Sequence, residues 1–140
     1  MKEILFRGKD ENGKWFYGNL YNTDTGESYI MPNSTLYITQ SEHTEMRSIS
    51  VAHRIKDKET IGQYIGIDDK NGTKIFEGDT LVIESTHLDT NTLNHFGGEV
   101  LYLPDRAIYA VDIEYDYLSF DIMKGASAYS YDYEVVENTK

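Results

Sequence analysis

The chain has 140 residues, 39% of them hydrophobic, no cysteine and a formal net charge of -11. A chain of that length buries a core of its own without staples, and the absence of cysteine excludes disulfides, thiol chemistry and thiolate metal sites and fits a reducing cytoplasm. The acid excess repels phosphate backbones and anionic membranes, so direct nucleic-acid binding is disfavoured and a cationic partner is favoured.

The excess is not evenly spread. Residues 1 to 60 carry 8 Lys or Arg against 9 Asp or Glu, whereas residues 61 to 140 carry 5 against 15. Acidity that only keeps a small protein soluble would account for the sum, and this is the default reading. At the N-terminus, MKEILFRGKDENG turns polar too soon for an export signal, and no apolar run approaches membrane-spanning length, so a cytoplasmic protein without a membrane partner is expected.

The first element signal is KDENGKWFYG, Lys9 to Gly18, which reads as a hairpin. Asn12 and Gly13 suit the two positive-φ positions of a type I′ turn, and the Asp before them can bond the turn backbone. The stretch STLYITQSEHTEMR, from Ser34 to Arg47, is one of two short helix candidates, the other being the polar HLDTNTLNHF from His87 to Phe96. Neither shows an apolar stripe over three turns.

The densest stretch, QYIGIDDKNGTKIFEGDTLVI, runs from Gln63 to Ile83 and repeats the Asp-x-Asn-Gly pattern of the first hairpin. Asn71 and Gly72 again suit a type I′ turn, and Gly78, followed by Asp79, marks a bend or bulge. A calcium loop would need Asp where Gly8 and Ile67 stand, so neither copy qualifies. A phosphate cradle fails as well, because Gly78 opens a strand beside Glu77 and Asp79 rather than a helix.

Farther on, Glu84, His87, Asp89 and His95 are donors suited to a divalent ion, but their spacing matches no helix-borne metal motif. They read as a solvated loop, and no metal or cofactor is expected. Pro104 breaks two strands at a turn. In VDIEYDY the set Val111, Ile113, Tyr115 and Tyr117 points one way along a strand over 111 to 117, and Asp112, Glu114 and Asp116 point the other. That places a regular row of carboxylates on one face, which Asp121, Asp132, Glu134 and Glu137 on neighbouring strands would extend. In the last strand Tyr129, Tyr131 and Tyr133 face one side, either packed inward or forming part of a partner surface.

Several of these stretches carry a resemblance. The segment from Glu59 to Ile83, the opening EILFRGKDENGKWFYG and the closing YEVVEN resemble the YopX family of phage and prophage proteins. Gln63, Tyr64, Gly66, Asp69, Lys70, Asn71, Gly72, Glu77, Gly78 and Asp79 match its central pattern. Thr80 departs from it, standing where the family usually has an aliphatic residue, and residues 21 to 58 and 86 to 98 show no match. The resemblance implies a small, mostly β cytoplasmic protein encoded in a phage or prophage, with a barrel-like C-terminal half as one form. It implies no activity and transfers no catalytic residue.

The residues supply no activity by themselves either. No Ser sits in a Gly-x-Ser-x-Gly elbow, and abundant carboxylates in an acidic chain do not define an acid/base pair. The expected fold is mainly β, with α+β as the alternative, in a small antiparallel barrel-like or sandwich architecture with at most one or two short helices. It forms one domain, or two β lobes of about 1–60 and 61–140 sharing a core. The expected function is binding of a host or phage protein by the acidic, tyrosine-rich C-terminal half, with no catalytic role. Homo-oligomers are compatible with this reading. The alternative is a small enzyme, or a nucleotide- or nucleic-acid-binding β-barrel.

Overall fold

The computed structural model describes residues 3–32, 36–38, 47–49, 52–114 and 116–136. The chain folds as two compact units, Glu3–Gln63 and Tyr64–Lys140. Strands dominate both units, every strand pairing is antiparallel, and the one α-helix among the described residues has 6 residues. No described helix is long and apolar enough to cross a membrane.

In the N-terminal unit, β1 (Phe6–Lys9), β2 (Trp15–Asn22) and β3 (Ser28–Met31) form a meander. Next come the short strands β4 (Leu36–Ile38), β5 (Arg47–Ile49) and β6 (His53–Ile55), with β4 and β5 paired as a separate ribbon. The main sheet runs β6-β3-β2-β1, and Gly62 and Gln63 at the start of β7 (Gly62–Asp68) pair with β1. Period-two alternation sets its core face: Ser28, Ile30 and Ile55 are buried while Tyr17, Asn19 and Tyr21 on β2 are exposed. The helix candidate at Ser34 to Arg47 is corrected, since its described parts are β4 and the first residue of β5. The rest of it, His43 included, lies outside the described residues. A Leu-Tyr-Ile run without an apolar stripe has nothing to hold it as a helix.

The C-terminal unit holds the rest of β7, then β8 (Lys74–Phe76), β9 (Thr80–His87), β10 (Leu93–Leu103), β11 (Ile108–Asp112) and β12 (Tyr117–Ser119). Helix α1 (Phe120–Gly125) and strand β13 (Tyr129–Val136) complete it. Its five-stranded sheet is open, in the order β12-β11-β10-β9-β13. The core gathers Ile65, Ile75, Leu81, Ile83, Val100, Val111, Phe120 and Met123. Each fully buried aliphatic side chain contributes about 1.5–3 kcal/mol relative to exposure.

Three sequence expectations are corrected in this unit. The segment from His87 to Phe96 is no helix but the end of β9, a tight turn and the start of β10, the turn being closed by bonds from the His87 amide to Thr92 O at 2.9 Å and from the Asn91 amide to His87 O at 2.8 Å. The solvated loop expected around Glu84 and His95 is therefore a strand pair, with His95 opposite Glu84. The single strand expected over 111 to 117 is a hairpin instead. Strand β11 ends at Asp112, the Ile113 amide bonds Asp116 O at 3.0 Å, and Glu114 adopts a φ of 78°. Asp112, Glu114 and Asp116 thus occupy a turn and its flanks rather than alternate positions of one strand, and the even carboxylate row is lost. Tyr115 lies outside the described residues. Pro104 does sit in a turn, where the Arg106 amide bonds Leu103 O at 3.2 Å.

The Asn-Gly turns are hairpin turns, but not of the expected type. Gly13 and Gly72 have φ of 79° and 81°, whereas Asn12 and Asn71 are absent from the positive-φ residues. In each turn the Gly amide bonds the Asp carbonyl three residues back at 3.0 Å, and the Asp amide bonds the carbonyl after the Gly. This is a type I turn closed by a left-handed glycine bulge. The Asp carboxylate selects it: Asp10 Oδ1 accepts from the amides of Asn12 and Lys14, and Asp69 Oδ1 from those of Asn71 and Thr73, all at 2.9 Å. A third copy, at Thr23–Glu27, has Gly26 at φ 88° and uses the Thr23 hydroxyl, which accepts from the Glu27 amide at 3.0 Å.

Candidate functional site

Strand β13 is where the family-like segment, the tyrosines and several acids meet. It is an edge strand, paired only with β9 among the described strands. Its inner partner fixes which side chains face the core: Tyr131, Tyr133 and Val135 lie opposite Ser85, Ile83 and Leu81. Tyr133 packs edge-on against Phe120 with ring centroids 5.5 Å apart, and burial raises its hydroxyl pKa. Tyr131 and Tyr133 both pack on the core cluster, while Tyr129 emerges at 39% exposure against the ring of His87. The tyrosine row is therefore packed inward at one end and open at the other.

The outer edge of β13 is divided in the same way. The Lys70 amide bonds Tyr133 O at 3.1 Å, and the Val135 amide bonds Asp69 Oδ2 at 2.9 Å. Asp69 thus uses both oxygens, one on its own turn and one on a strand 66 residues away. Burial opposes its ionisation, but the hydrogen bonds from Val135, Thr73 and Asn71, with the Lys70 charge, outweigh it and hold the carboxyl below its ordinary value. Asn71 Nδ2 and Lys70 Nζ also reach the Glu134 carboxylate, at 3.0 and 3.7 Å. The turn is a clamp, and it covers the edge at Tyr133 and Val135.

Nothing comparable covers the first half of the strand. Alternate residues of a strand point their backbone groups to opposite sides, and Tyr133 and Val135 point theirs outward. Tyr129 and Tyr131 therefore do so too, and among the described residues no hydrogen bond meets their outward groups. A shallow cleft of about 170 Å³ lies beside this stretch, lined by Asp68, Asp69, Lys70, Tyr131, Asp132 and Tyr133.

On the solvent face of the same sheet, the register sets Asp132 opposite Glu84 and Glu84 opposite His95. His95 Nε2 lies 3.1 Å from Glu84 Oε2. His87 goes elsewhere: its Nδ1 accepts from the Thr90 amide at 3.3 Å and its ring meets Tyr129. The four candidate metal donors are thus split, and no group of three or more such donors among the described residues could hold a metal ion. The acids brought together are Glu84, Asp132 and Glu134 across β9 and β13, not the trio of 112 to 116. Asp132 and Glu134 were legible as strand residues, but Glu84 as their neighbour needed the register.

Gly78 and Asp79 hold the other end of the segment in place. The Asp79 amide bonds Phe76 O at 3.1 Å and the Asp79 carboxylate accepts from the Phe76 amide at 2.8 Å, with Gly78 at φ 90° between them. Asp79 is 1% exposed and leads β9 into the core, so its role is architectural.

A family model described as YopX protein matches residues 5–138. No curated protein and no solved structure matches the chain.

Proposed function

Because the chain belongs to the YopX family, we propose that it is a phage or prophage accessory protein that works in the host cytoplasm by binding another protein, without catalysis. The partner contributes an extended segment that adds a strand to β13 at Tyr129 and Tyr131. The outward backbone groups of those residues carry the proposal, since an open strand edge recruits a further strand through main-chain bonds, with side-chain pockets supplying specificity. The neighbouring carboxylates of Asp68 and Asp132 favour a Lys- or Arg-bearing segment, and the exposed ring of Tyr129 offers contact area at small entropy cost. The most buried carboxylate at the site, Asp69, has its oxygens committed to backbone amides, which suits a scaffold rather than a proton-transfer group.

A pull-down from bacterial host lysate, compared between the native chain and Tyr129→Pro, tests this. Proline removes the outward amide and the exposed ring while leaving the β9 pairing of neighbouring residues intact. Partners held by strand addition are lost from the variant, and those steered by the acids weaken at high salt. Partners retained in full by a variant that melts like the native chain would overturn the reading.

A further inference from the structure

The N-terminal sheet has a solvent face quite unlike the acidic sheet of the C-terminal unit. Strand register places Lys9 opposite Trp15 and Arg7 opposite Tyr17, then Tyr21 opposite Tyr29 and Tyr29 opposite Arg54. All of these side chains lie on the face away from Ile30 and Ile55. Tyr17 and Tyr21 are 46% and 54% exposed, and Arg54 is exposed. The Arg7 guanidinium and the Lys9 ammonium lie 4.5 and 4.9 Å from the Trp15 ring centre; Arg7 is buried at 6% exposure and supports the ring, so Lys9, half-buried, is the cation of the pair that borders the aromatic row. Glu27, at the margin, is engaged by the Tyr29 hydroxyl at 3.2 Å.

We propose that this face binds single-stranded nucleic acid. Trp15 and Tyr17 are same-face neighbours about 6.8 Å apart on β2, and Tyr21 stands two such steps farther along, beyond Asn19, so the strand offers three rings in one line on which bases can stack. Lys9 and Arg54 flank that line from β1 and β6, where the backbone phosphates of a strand laid along β2 would run. Aromatic rings interleaved with cations on an open sheet face are the composition of single-strand binders, and stacking tolerates any base. The acidity of the whole chain does not forbid it. The excess lies in residues 61 to 140, residues 1 to 60 are near balance, and exposed charges are screened beyond about 8 Å at physiological ionic strength.

Anisotropy titrations of the full-length protein with fluorescein-labelled oligothymidylate and oligouridylate test the proposal. Saturable binding that weakens with added salt is expected, and a preference between the two oligomers tells whether the natural ligand is DNA or RNA. Tyr17→Ala combined with Tyr21→Ala weakens binding about tenfold or more. Arg54→Gln weakens it less and reduces its salt dependence. All three changes are at exposed side chains, and unchanged thermal melting confirms that the variants fold. Absence of saturable binding at low salt overturns the proposal, as does binding indifferent to the double tyrosine variant. Self-association abolished by that variant without oligonucleotide binding also overturns it, and assigns the face to a second copy of the chain.

Discussion

Asp69 ties together two parts of the C-terminal unit, because one carboxylate holds both a turn and a distant strand edge. Replacing it by Ala leaves the Val135 amide and two turn amides without their acceptor, and this should lower the unfolding free energy by about 2–4 kcal/mol in urea titrations at neutral pH. The pH dependence has a definite sign. A carboxyl whose folded pKa is depressed contributes stability above its unfolded value, and that contribution disappears as pH falls through the folded value. Urea midpoints of the native chain should therefore fall on acidification below about pH 4, and the difference from Asp69→Ala should shrink with them. A difference independent of pH would show that the carboxylate charge is not what holds the turn. The motif was legible as a turn from Asp-x-Asn-Gly alone. Its type was not, because two amides converging on one carboxylate oxygen favour a type I turn and leave only the glycine left-handed.

Among the elements, α1 and β13 show what periodicity reads well and what it misses. The alternation of Tyr129, Tyr131 and Tyr133 announced a strand, and β13 is one. Helix α1 escaped notice because six residues give too short a pattern, although Ser119 before it and the buried pair Phe120 and Met123 were signals available in the sequence. Ser119 Oγ accepts from the Ile122 amide at 3.2 Å and caps the helix. Ser119→Ala should cost about 1 kcal/mol, seen as a lower thermal midpoint. Ser119→Asp should restore much of that loss if the cap is the cause, since Asp also accepts from the first-turn amides. Equal losses in both variants would place the cost in the burial of Ser119 instead.

For the molecule as a whole, the charge distribution makes a prediction that no single contact makes. Fifteen acids against five bases in residues 61 to 140 repel one another in the folded state, and the repulsion is screened by salt. Adding sodium chloride toward about 1 M, where the screening length is about 3 Å, should raise the thermal midpoint by a few degrees. A midpoint that falls would mean that attractive pairs such as Lys70 with Glu134 outweigh the repulsion. What the sequence determined by itself was local: strand-rich alternation, the hairpin turns, the proline turn and the acid asymmetry all follow from neighbours within a few residues. Tertiary structure decided everything that depends on register. It turned 111 to 117 into a hairpin, carried the Asp69 carboxylate to Val135, paired Glu84 with His95 and separated both from His87, and set Arg54 beside Tyr29. Apart from the 111 to 117 hairpin, which is a local turn that alternation alone does not reveal, these outcomes belong to pairing between segments apart in the chain, whose one-residue shifts move every side chain to the other face.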